Sequence, residues 1–192
     1  MALALRLPGI SKGFRSDEVG TILYASSAPK GLVQAIISND SHPPLLYAFY
    51  HVWLQGGREE WWARLPIVFC GVIVCVLLYC VARQQFSERV SVTAAWIAAI
   101  APSTVLLSQT IRQYMPAAVF VLLAVFFALK WEEDNQDGAR PGAGYVLSAS
   151  LALYTFYFSA MTLAALSMYI IVRSWRPWRR IRAWLLLQAV VA

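Results

Sequence analysis

Charged residues fall along this chain in clusters, and between them lie five uncharged stretches: 41–57, 65–82, 90–111, 113–129 and 141–172. None alternates polar with apolar residues, so they read as helices and not as barrel strands. A bilayer core of about 30 Å takes about 20 apolar helical residues to cross. The pattern therefore predicts spanning helices over 61–82, interrupted by Arg64, over 90–111, with a kink expected at Pro102, and over 113–129. Trp61 and Trp62 at one end of the first span, and Arg83 at the other, are interfacial anchors. The 32 residues of 141–172 would make one helix of about 48 Å. They are either a single tilted, protruding helix or two short ones that turn near 155–159.

Ahead of these spans the pattern is amphipathic and broken. Residues 1–20 contain no long apolar core and are crowded by Arg6, Lys12, Arg15, Asp17 and Glu18, so they are neither a signal peptide nor a first span. Leu32, Val33, Ile36 and Ile37 fall on one helical face, and Asp40, Ser41 and the Pro43–Pro44 pair then stop one helix and start another. That second helix, 43–56, would be about 21 Å long. Leu45, Leu46, Phe49, Tyr50, Trp53 and Leu54 form its apolar face and Tyr47, His51 and Gln55 its polar one, the pattern of a helix lying in the membrane interface. Residues 1–60 thus read as an extracytoplasmic loop with interfacial helices, and 61–192 as one membrane domain. Residues 183–192 begin another apolar helix but supply only half a span, so a fragment of a longer chain is expected, with partner helices at one or both ends.

Composition supports this reading. Of 192 residues 59% are apolar and only 14% charged, against about 25% charged in soluble domains. The class is an all-α polytopic membrane helical bundle. The net charge of +6 is a matter of topology and not of nucleic-acid binding, because five basic residues, Arg173, Arg176, Arg179, Arg180 and Arg182, sit together between apolar runs and no nucleic-acid motif accompanies them. Cys70, Cys75 and Cys80 all lie in one span, are odd in number and form no CxxC, so they read as buried free thiols, neither a disulfide framework nor a metal site.

The candidate chemistry follows from which charges share a membrane face. Asp17, Glu18, His42, Arg112, Gln113 and Tyr114 fall on the extracytoplasmic side. Arg112, flanked by 22 and 17 uncharged residues, is a functional candidate or a turn arginine snorkelling to headgroups. Asp17 and Glu18 after Ser16 are either a catalytic pair or the capped start of a helix. His42 before two prolines suits a cap, a phosphate contact or a metal ligand with Asp40. The templates HExxH, GxGxxG, Walker A and GxSxG are absent.

Taken in order, Asp17-Glu18, HPPLLYAFYHVWLQGG (42–57), the RLP at 64–66, SQTIRQY (108–114) and YTFYF (154–158) resemble the N-terminal part of membrane glycosyltransferases of the protein O-mannosyltransferase and lipid A aminoarabinose-transferase kind, GT-C-fold enzymes, closest to their bacterial family 39-like relatives. The resemblance runs from Asp17 to about Arg173. It implies an inverting transferase of the cell envelope, in the bacterial inner membrane, that moves a sugar from a polyprenyl-phosphate donor to a protein, lipid or glycan acceptor on the extracytoplasmic side. It implies Asp17, with Glu18, as the catalytic carboxylates, and Arg112, His42 and Tyr114 as the donor-phosphate site. No cofactor follows from it, a divalent metal being neither required nor ruled out. The family carries a spanning helix before the acidic pair and many spans downstream, so this stretch by itself is expected to be inactive. The alternative is a transporter or non-catalytic membrane protein. A transporter would place ionisable residues at mid-span, and the uncharged spans have none.

Basic loops face the cytoplasm. Arg83 and Arg89 bracket one loop, and two spans later Lys130 and Arg140 flank a second. The arginine cluster joins them only if 141–172 crosses twice. We expect 131–144 and 173–182 both to be cytoplasmic. A single cysteine at position 178, on a background without Cys70, Cys75 and Cys80, should resist an impermeant thiol reagent in intact cells, and its labelling would exclude this topology.

Overall fold

A computed structural model describes residues 1–26, 43–133, 139–173 and 178–191. These form nine helices and, among the described residues, no strand. Helix α1 is Ser16–Ser26, α2 Leu45–Trp53, α3 Glu60–Gln85, α4 Glu88–Ile100, α5 Pro102–Ser108, α6 Tyr114–Glu133, α7 Ala139–Thr155, α8 Ser159–Arg173 and α9 Trp178–Val191. Helices α3 and α6 are long and apolar enough to cross a membrane, and α4 with α5 forms a third candidate span, bent by 59° at the break before Pro102. This is the all-α membrane bundle expected, with the kink where the proline stands.

The run 141–172 is two helices, broken at Phe156–Phe158. At 17 and 15 residues they are about 25 and 22 Å long, short of a 30 Å core. Ion pairing and ring packing show which ends meet. Arg173 at the end of α8 reaches Glu132 at the end of α6 (2.7 Å) and Gln85 at the end of α3 (2.9 Å). At the opposite end the Tyr114 ring packs edge-on against Phe156, with centroids 5.6 Å apart. Helices α3, α6 and α8 therefore begin at one end of the bundle and finish at the other. The loop read over 131–144 is narrower than expected, since α6 runs on to Glu133 and α7 begins at Ala139. Helix α9 likewise starts before 183, inside the basic segment. It packs through Trp184, whose ring lies 5.2 Å from that of Trp131 and 4.6 Å from that of Tyr145. The helical face read over Leu32–Ile37 falls outside the described residues.

Helix α2 is fixed directly onto α3. It is shorter than the pattern suggested, ending at Trp53. Pro66 inside α3 has no N–H, which leaves the carbonyl of Trp62 without its helical donor. The Trp53 indole N–H fills that place (3.0 Å), the Trp62 indole N–H donates back to the Trp53 carbonyl (3.2 Å), and the two rings stack 4.6 Å apart. Tyr50, fully buried, donates to the Ala63 carbonyl at 2.8 Å. The face read as polar is not free: Tyr47 is buried edge-on against Tyr24, and His51 Nδ1 lies 2.8 Å from the Ala25 carbonyl. Helix α1 occupies that side, so Tyr47 and His51 meet protein. Ala25, Leu46, Tyr50 and Leu54 share one core with Ile67, Val74, Ile111 and Met115, which joins α1 and α2 to the spans.

Gly71 on α3 has the least room for a side chain of the described glycines. A Cβ there would lie 2.0 Å from Ser108 Oγ and 2.8 Å from Arg6 Nε. Gly71→Ala should therefore cost about 1–3 kcal/mol. Gly20, inside α1 with nothing within 4 Å of such a Cβ, should gain roughly 0.5–1 kcal/mol on the same change. Thermal unfolding of the complete protein in detergent checks both signs.

Candidate functional site

The end of the bundle where α3 and α6 begin is organised around one carboxylate. Glu18, fully buried, takes four donors on its two oxygens. Oε1 accepts from Arg64 Nε at 3.0 Å and from the backbone N–H of Ile111 at 2.9 Å, and Oε2 from Arg64 Nη2 at 2.6 Å and the backbone N–H of Arg15 at 2.9 Å. The Arg15 bond is one half of a capping box, which explains why α1 starts where it does. The Arg64 fork is bidentate, the geometry that matches guanidinium to carboxylate. Its remaining N–H groups go to the carbonyls of Ile10 (2.8 Å), Lys12 and Gly13 (3.2 Å), and the Phe14 ring lies 5.4 Å from its carbon centre. Every N–H of this buried arginine has an acceptor.

Burial alone pushes the Glu18 carboxyl up. The hydrogen bonds from Arg64, Arg15 and Ile111 and the charge of Arg64 more than offset this, so it titrates below the ordinary glutamate range. These contacts make Glu18 a holding residue. The neighbouring Asp17 is exposed, and among the described residues its carboxylate accepts from the Ser16 hydroxyl, at 3.1 Å.

The bond from Glu18 to Ile111 brings together two segments 93 residues apart. Asp17 stands beside one partner and Arg112 beside the other. Arg112 is half-buried, and its guanidinium has no hydrogen-bond partner among the described residues. The next side chain, Gln113, is buried with its Nε2 unpaired, which is uncommon for a buried donor. Tyr114 is exposed beyond its contact with Phe156. His42 lies outside the described residues. Among those described, no three His, Cys, Asp or Glu side chains group as metal ligands. Beneath α2 at this same end opens a cavity of about 240 Å³ with almost wholly apolar walls, including Leu46, Phe49, Cys70, Pro116, Phe120 and Leu151.

Sequence reasoning named Asp17, Glu18, Arg112 and Tyr114 and missed Arg64 and Arg6 as partners. Part of the signal for Arg64 was present: a lone arginine in an apolar run needs an acceptor, but Glu59 and Glu60 stand closer to it along the chain than Asp17 and Glu18.

The fold and this charged end define a multi-pass membrane protein with a polar site at one end of a helical bundle. Residues 41–192 match the family model for dolichyl-phosphate-mannose-protein mannosyltransferase, and the chain belongs to that family. It is a membrane glycosyltransferase of mannosyltransferase type. Arg64, Arg112 and Tyr114 lie within the matched residues, whereas Asp17 and Glu18 precede them. No curated protein and no solved structure is similar enough to the chain to match it.

Removing the Glu18 charge should strand Arg64. Glu18→Gln should cost about 3–5 kcal/mol, and Glu18→Gln with Arg64→Met should cost less than the sum of the two single changes. Because the folded-state pKa of Glu18 is depressed, its contribution is present above the unfolded value of about 4.3 and lost as pH falls through the folded one. Thermal unfolding against pH should show a loss on the acid side that Glu18→Gln reduces.

Proposed function

We propose that this protein transfers a sugar from a polyprenyl-phosphate donor to an acceptor hydroxyl on the extracytoplasmic side of a bacterial inner membrane, with Asp17 as base and Arg112 at the departing phosphate. The observation that carries this is the Glu18–Ile111 hydrogen bond, which holds the segment of Asp17 against the segment of Arg112, whose guanidinium has no partner among the described residues. A lipid-linked sugar is already activated. The protein has to take the acceptor's proton and stabilise the charge that develops on the phosphate.

In this reading Asp17 accepts the hydroxyl proton as the acceptor oxygen bonds to the anomeric carbon. The bond from that carbon to the phosphate oxygen breaks, its electrons leave with the phosphate, and one displacement inverts the carbon. Arg112 offers two parallel donors to the phosphate. The unpaired Gln113 Nε2, the Tyr114 hydroxyl and His42 are further groups for the phosphate or sugar, and the apolar cavity beneath α2 suits a hydrocarbon segment of the donor. Glu18 and Arg64 hold Asp17 in place and do not react.

In the complete protein in membranes, assayed with a polyprenyl-phosphate sugar at matched expression, Asp17→Asn should lower the rate by about 10² to 10⁴. Arg112→Lys keeps the charge, loses the fork and should reduce transfer clearly. Full activity of Asp17→Asn would remove it as the base.

A further inference from the structure

We propose that Arg6 is a positioning residue for the phosphate clamp: by bridging the bend between α4 and α5 it sets the place of the turn that carries Arg112. This rests on the reading of Arg112 given above. The bend creates the need. Pro102 has no N–H to give to the carbonyl of Ala98, and that carbonyl and its neighbour at Ala99 face the interior where α4 ends. Arg6 is fully buried and answers both, with Nη2 to the Ala98 carbonyl at 3.4 Å and Nη1 to the Ala99 carbonyl at 3.2 Å. Thr104 Oγ1 adds a second donor to Ala98. The guanidinium charge also sits at the C-terminal end of α4, where the helix dipole favours a cation.

The same side chain reaches the far side of the bend. Its Nε donates to Ser108 Oγ, the last residue of α5, at 3.0 Å. The remaining N–H groups go to the Ala2 carbonyl (2.8 Å) and Cys75 Sγ (3.7 Å), so all five are used. A second tie lies beside the first: Gln109 Nε2 donates to the carbonyls of Arg6 (3.1 Å) and Pro8 (2.7 Å). From Gln109 to Arg112 the chain has little slack, because the Arg112 N–H already bonds the Thr110 carbonyl at 2.8 Å and the Ile111 N–H bonds Glu18. Among the described residues no carboxylate pairs with Arg6; its acceptors at the bend are the Ala98 and Ala99 carbonyls before the break and the Ser108 hydroxyl beyond it. Gly71 leaves the room for it. A lysine, with one compact ammonium, cannot span the two sides.

The test is donor kinetics on the complete protein in membranes with a polyprenyl-phosphate sugar, for Arg6→Lys, Gln109→Leu, Arg112→Lys and the two doubles that include Arg112→Lys. Arg6→Lys should raise the donor KM about tenfold with kcat within about twofold, because the clamp moves and the base does not. Gln109→Leu, which cuts only the second tie, should shift KM in the same direction. On the Arg112→Lys background neither change should raise KM by more than about a further twofold, since the group they position is already impaired. Fully additive effects, or a fall in kcat with KM unchanged, would overturn the proposal. If Arg6→Lys does not accumulate in membranes, Gln109→Leu decides by the same criteria. An unchanged donor KM for Arg112→Lys alone would remove Arg112 from the phosphate site and overturn both readings.

Discussion

A buried charge in an apolar helical bundle has to find its counter-charge and fill its remaining hydrogen bonds, and the Glu18–Arg64 pair is where this protein meets that demand. Neither residue could be buried alone, because the cost of removing an ion from water far exceeds what packing returns. Satisfying both draws four pieces of chain to one point: the N-terminal segment through the carbonyls of Ile10, Lys12 and Gly13, α1 through the Arg15 N–H, α3 through Arg64, and the 109–113 turn through the Ile111 N–H. The geometry of the candidate site is a by-product of that convergence. Asp17 and Arg112 are each the immediate chain neighbour of a residue in the network, and neither is used up by it.

Prolines supply the second layer of organisation. Pro66 and Pro102 each leave a carbonyl of the preceding turn without its helical donor, and in lipid-like surroundings water is not there to take the place. At Pro66 the orphaned Trp62 carbonyl is met by the Trp53 indole, which fixes α2 onto α3. At Pro102 the Ala98 carbonyl is met by Arg6 and Thr104, which fixes the N-terminal segment onto the bend. Local breaks in helices thereby become the points at which distant segments attach.

Much of the architecture was legible along the chain, because it depends on local quantities. Uncharged runs of sufficient length gave α3, α6 and the α4–α5 pair. The position of Pro102 gave the bend, and the distribution of arginines favoured two helices over one in 141–172, where the chain does break at 156–158. Family membership was legible in the order of short motifs. The polar stripe of α2 was misjudged for a specific reason: periodicity says that Tyr47 and His51 share a face, but not that another helix lies on it.

What the sequence determined by itself is therefore which segments are helical and apolar enough to span, and where they bend, since hydropathy, helix period and proline chemistry act within a few residues. Only the tertiary structure decided that Glu18 is the held carboxylate and Asp17 the exposed one, that Arg64 is the holder, and that Arg6 spans the bend 93 residues away. Adjacent acidic residues are nearly indistinguishable in a sequence. They become different when one is brought against a guanidinium 46 residues distant and the other is left facing outward, and that difference exists only once the chain has packed.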